Sequence, residues 1–194
     1  MTNRNSPFVD ALLPFLSPTL PPKEDDPYFA ALGRFIVSYA SAEHEVHGLA
    51  RRLSNVTDAK GRIIFSGMRL GDLAERVRGL LRVTKASNRI YDETGACIAQ
   101  LNLIAGERNK LVHRFVMYRK HEILVTNVPI AKSMASAEIE TFTLSDLESM
   151  DLDCLAIRLR LSRIRNRKSS ANLSRELIEW IQRPWRYKPA RLAK

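Results

Sequence analysis

The sequence predicts an all-α protein, a bundle of four to five helices with a small β-hairpin after the third long helix. Three observations carry this expectation. Apolar residues recur at alternating spacings of four and three along four separate segments, the pattern of a helix that buries one stripe. The roughly one hundred residues between Pro27 and Pro129 hold no proline, which suits long uninterrupted helices. The connections between the segments are short, which with the matched stripes gives a bundle, and the stripes' period near 3.5 predicts shallow crossing angles between neighbours.

The elements follow in chain order. Residues 1–27 contain Pro7, Pro14, Pro18, Pro21, Pro22 and Pro27 around an apolar patch from Phe8 to Leu16. With only Arg4 before the patch and no small-residue cleavage site after it, this leader reads as a docking segment and linker, not a signal peptide. Asp25-Asp26-Pro27 opens the first helix, with acidic groups at the positive end of the dipole and proline in the first turn. Its expected stripe is Leu32, Ile36, Tyr39, Glu43, Val46, Ala50 and Leu53, in which Glu43 is the odd residue. A second helical segment begins after Thr57-Asp58, breaks near Gly67 to Gly71, and resumes through Leu70, Leu73, Val77 and Leu80. The third runs from about Arg89 to His113, with Ile90, Thr94, Cys97, Leu101, Ile104, Arg108 and Leu111 in line, and here Arg108 is the odd residue.

After His113 the period shortens: Phe115, Val116 and Tyr118 face Ile123, Leu124 and Val125 across Arg119 to Glu122, which predicts a hairpin as the only sheet. Thr143-Leu144-Ser145-Asp146 forms a capping box for the fourth helix, whose stripe is Leu147, Met150, Cys154, Ile157, Leu161 and Ile164. A short fifth helix is expected around Leu173 to Ile181. The division is therefore a leader over 1–27, a helical domain over 28–168 and a basic tail over 169–194.

Composition narrows the function. With 45% apolar and 27% charged residues and no long apolar run, an integral membrane protein is excluded and a cytoplasmic one expected. Cys97 and Cys154 both lie on apolar stripes, where they read as small buried hydrophobes in a reducing compartment. The net charge of +10 resides entirely in residues 158–194, which carry twelve basic and two acidic side chains. Such a cationic arm suits a polyanion. Arg158, Arg165, Arg167, Lys168, Arg186 and Lys188 are its candidate nucleic-acid contacts. Trp180, Trp185 and Tyr187 are placed either to stack on unpaired bases or to cover the bundle.

The segment Glu107-Arg108-Asn109-Lys110-Leu111-Val112-His113 closes the third helix just before the hairpin. It resembles the Arg-Asn-x-x-x-His motif of the HEPN superfamily, and Tyr39-Ala40-Ser41-Ala42-Glu43 is similar to the aromatic-Ala-x-x-Glu pattern of the first long helix in many bacterial members. The resemblance covers residues 28 to 166; Arg114 stands where many relatives have glycine. It implies a HEPN-like bundle acting as a metal-independent endoribonuclease of toxin or phage-defence type. The implied form is a homodimer whose two motifs face one cleft, with RNA as substrate and a cognate antitoxin or defence-system protein as a further partner.

Residue chemistry fits that implication. Cleaving RNA through its 2′-hydroxyl needs a base near neutral pKa, an acid for the leaving oxygen and fixed positive charge for the crowded phosphorus. His113 can serve as base or acid and Arg108 as the charge, while Asn109, one turn before His113, can orient the imidazole or hold a phosphate oxygen. Glu43 is expected beside Arg108 as its supporting partner, because each is a lone charge on an apolar stripe. The competing reading is a catalytically silent HEPN module that binds nucleic acid or a protein, with Arg108 and Glu43 as a buried structural pair. No cofactor or metal is expected: His44 and His47 share a helix face but lack a third ligand, and no phosphate-cradling glycine loop is present.

Overall fold

The computed structural model describes residues 27–119, 122–127, 131, 136–166 and 174–189. The leader over 1–26, together with Arg167 and Lys168, lies outside the described residues. Six helices occur among the described residues: α1 (Pro27–Ser54), α2 (Asp58–Phe65), α3 (Leu70–Val83), α4 (Asn88–His113), α5 (Leu144–Arg165) and α6 (Arg175–Gln182). None is long and apolar enough to cross a membrane. Between α4 and α5 lie β1 (Phe115–Arg119), β2 (Glu122–Thr126) and β3 (Ile139–Phe142).

The expected break falls between α2 and α3. There Gly67 takes φ 71°, a left-handed conformation that favours glycine. At α5 the capping box forms as expected: the Asp146 amide donates to the Thr143 hydroxyl oxygen at 3.1 Å, and the Thr143 amide donates to the Asp146 carboxylate at 2.8 Å. The α4 and α5 stripes also close on the core. Thr94, Cys97, Leu101, Ile104 and Leu111 are buried from the first, and Leu147, Met150, Cys154, Ile157 and Leu161 from the second.

The buried face of α1 is rotated from the expected one. Ala31, Phe35, Tyr39, Ala42, Val46 and Leu49 form its centre, while Leu32, Ile36 and Leu53 sit at its margin. The cause is tertiary, because α1 packs against α2, α3, α4 and, most extensively, α5. A helix enclosed from several directions buries an arc wider than one stripe. Glu43 thereby ends at the edge of the core, half-buried.

The sheet has one strand more than the hairpin alone. β3 pairs antiparallel with β2, placing Ile139 opposite Thr126 and Phe142 opposite Ile123, in the order β1-β2-β3. Four residues alternating Ile-Glu-Thr-Phe are too short to stand out in the sequence. In the fold they cover the far edge of β2, whose Ile123, Leu124, Val125 and Thr126 are all buried. Ile123, Val125 and Phe142 turn one face of the sheet to the helical core.

Candidate functional site

The motif occupies the last two turns of α4. His113 ends the helix and is exposed, as is Asn109 one turn before it. Arg108 is half-buried and turns toward α1, where its guanidinium lies 5.7 Å from the centroid of the Tyr39 ring. His113 follows Arg108 by five positions, which at 100° per residue puts them about 140° apart around the axis. Within one chain the two side chains therefore diverge. Asn109 joins them only in part: its Oδ1 accepts from Arg108 Nη1 at 3.1 Å, so it orients the arginine and not the imidazole.

Glu43 and Arg108 meet through a third residue. Among the described residues no ion pair links them. The Glu43 charge acts on the Tyr39 hydroxyl, while the Arg108 cation lies over the Tyr39 ring. Burial, followed by the Glu43 charge, holds the Tyr39 hydroxyl well above the usual phenol range, with Arg108 acting in the opposite sense. Tyr39 thus stays a neutral phenol between the two charges and presents its ring to the arginine. The direct Glu43–Arg108 pair expected from two charged intrusions is replaced by this relay. The sequence holds the signal for it in the aromatic that opens Tyr39-Ala40-Ser41-Ala42-Glu43.

The other cations of the motif are committed to carboxylates. Lys110 bridges Glu107 at 2.8 Å and Glu140 at 2.6 Å, and Arg114 reaches Glu138 at 2.8 Å and Glu140 at 3.7 Å. Glu138 and Glu140 belong to β3 and the residue before it. This acidic edge follows from the third strand and could not be placed without it. It borders a cavity of about 670 Å³ that Glu107, Asp146 and Tyr187 also line. Arg108, by contrast, has no carboxylate within ion-pair distance among the described residues, and its buried Nε has no hydrogen-bond partner there.

The basic C-terminal region does not behave as a free arm over residues 174–189. The buried Asp153 carboxylate of α5 accepts the Arg186 and Tyr187 amides at 3.0 and 2.9 Å, Gln100 Nε2 at 3.0 Å and Arg183 Nη1 at 3.1 Å. Arg160 donates to the Ile181 and Arg183 carbonyls at 2.6 and 2.7 Å and lies 4.2 Å from the Trp185 ring centroid. Tyr187 is buried, and Arg183 lies over Trp180. Of the two placements open to these aromatics, Trp185 and Tyr187 adopt the one that covers the bundle.

The nucleic-acid candidates divide accordingly. Arg158, Arg186 and Lys188 are exposed. Arg165 pairs with Glu45 at 3.2 Å, passing over Gly48 so closely that a Cβ there would lie 2.6 Å from its Nη1. The two cysteines are free and buried, and burial pushes the Cys97 thiol up to about 12 and the Cys154 thiol higher still. Among the described residues, no group of three or more His, Cys, Asp or Glu side chains is arranged to hold a metal ion. Comparisons with protein-family models, with curated proteins and with solved structures find no match.

Proposed function

We propose that this protein is a metal-independent endoribonuclease of toxin or phage-defence type, working in the cytoplasm as a HEPN-like homodimer. One observation carries the reading: Arg108 keeps its charge uncommitted to any described carboxylate while every neighbouring motif cation is paired, and Asn109 ties it to the exposed turn that ends at His113. A half-buried arginine held without a counter-charge is costly unless an anion completes it. The biological setting, including an antitoxin or defence partner, comes from the resemblance of the motif alone.

In the reaction, the substrate 2′-oxygen attacks phosphorus and gives its proton to His113. The bond from phosphorus to the 5′-oxygen breaks, and a protonated imidazole supplies the proton that oxygen takes. The products are a 2′,3′-cyclic phosphate and a free 5′-hydroxyl. Arg108 balances the negative charge that accumulates on the phosphorane. Because Arg108 and His113 diverge on one helix, the dimer supplies the complementary copy of each. Val112, Phe115 and Ile139 leave apolar surface around His113, where a second chain would pack.

The test is incubation of total RNA with the purified protein in EDTA, wild type beside His113→Ala. Wild type should leave cyclic phosphate ends, and His113→Ala should lose at least about a hundredfold in rate. A folded His113→Ala protein cutting at the wild-type rate overturns the mechanism. Wild type inactive on diverse RNAs would select the silent binding module, a reading favoured by the neutralisation of Lys110 and Arg114 by β3 and its flank.

A further inference from the structure

At the opposite end of α4 from the motif, roughly 30 Å away at 1.5 Å per residue, the ends of α1, α3 and α5 surround a cavity of about 1170 Å³. Leu53, Leu81 and Ile90 contribute an apolar floor, and Arg52, Lys85 and Arg165 bring positive charge to the walls. No aspartate or glutamate lines it. Arg165 sends its guanidinium to Glu45, but Arg52 and Lys85 have no ion-pair partner among the described residues. Two cations without an ion pair among the described residues, in a cavity that apolar residues and Asn55 and Asn166 also line, match a ligand that is anionic at one end and apolar at the other.

The backbone at Lys85 adds a second argument. α3 ends in a Schellman motif, in which the Ala86 amide donates to the Leu81 carbonyl at 3.0 Å and the Lys85 amide to the Arg82 carbonyl at 3.1 Å. Lys85 occupies the left-handed position of that motif with φ 50°, where glycine is the favoured residue. A lysine there costs backbone energy and returns no intramolecular ion pair among the described residues, while the residue, exposed, lines the cavity.

We infer that this cavity binds a small phosphate monoester carried on an apolar, ring-sized body, with Arg52 and Lys85 holding the phosphate and the half-buried Leu53 and Ile90 receiving the ring. The inference does not depend on the nuclease reading, and its test involves no RNA cleavage. Isothermal titration of the full chain with 5′-AMP, adenosine and inorganic phosphate as separate probes reads both halves of the site. AMP should bind at one equivalent per chain and more tightly than either of the others, with affinity falling as salt rises. Lys85→Gly should melt at the same or a higher temperature than wild type, because glycine relieves the left-handed position, yet lose at least tenfold in AMP affinity. Arg52→Gln should lose a similar factor. No AMP binding at millimolar concentration, adenosine or phosphate binding as tightly as AMP, or unchanged AMP affinity in both variants would overturn the proposal.

Discussion

Two arginines enter the bundle in different company. Arg183 arrives from the C-terminal segment and meets Asp153, a fully buried carboxylate that also holds two backbone amides and Gln100. Arg108 arrives from α4 and meets the face of a tyrosine whose hydroxyl also feels the Glu43 charge. In the first region the cation joins, through Nη1 alone, a network around Asp153 that fixes residues 183–187 to the helices, while its Nε and Nη2 have no hydrogen-bond partner among the described residues. In the second it is oriented by Asn109 and stopped short of the nearest carboxylate. The difference is one of counter-charge: Arg183 has its carboxylate within the fold, whereas on the proposed function Arg108 leaves that place to a phosphate from outside.

Asp153→Ala should produce the largest effect. It strands the Arg183 cation and leaves the Arg186 and Tyr187 amides without their acceptor and Gln100 with the Tyr187 carbonyl alone, a loss of about 3–5 kcal/mol by chemical denaturation. Susceptibility to proteolysis should rise first near residues 183–187. If Asp153→Ala is as stable as wild type, the C-terminal segment is held by Trp185 and Tyr187 packing alone and the contrast between the regions collapses.

Arg108→Gln sharpens the contrast from the other side. Its stability should change by no more than about 1 kcal/mol, the scale of a partly exposed cation–π contact, while RNA cleavage falls by about a hundredfold through lost charge stabilisation. Denaturation and single-turnover cleavage on one preparation measure both. A stability loss equal to that of Asp153→Ala would place Arg108 among the structural arginines.

The smallest effect is expected at His47, which lies one turn beyond Glu43 on α1. Burial lowers its pKa from 6.5, Glu43 opposes that shift, and Arg51 and His44 reinforce it. The unfolded chain therefore takes up a proton at this residue more readily than the fold does. Its contribution to stability is complete above about pH 6.5 and is lost as pH falls through the lower folded value. Thermal melts across pH 7.5 to 5 should show a declining midpoint, and His47→Gln should make that decline shallower. An unaltered slope would assign the acid sensitivity to other groups.

The sequence by itself determined what is local. Helix ends at Thr57, Gly67 and Thr143 follow from capping chemistry and backbone freedom within a few residues, and the α4 and α5 stripes follow from a period that each helix carries alone. The turn bearing Arg108, Asn109 and His113 was legible for the same reason. Tertiary structure decided what depends on residues distant in the chain. The rotation of α1 required four helical neighbours, β3 required an open edge on β2, and the acids facing Lys110 and Arg114 required β3 to be in place. The burial of Asp153 required a segment more than thirty residues downstream. No periodicity marks such a carboxylate, because what makes it tolerable in the core is the set of donors that only the folded chain delivers.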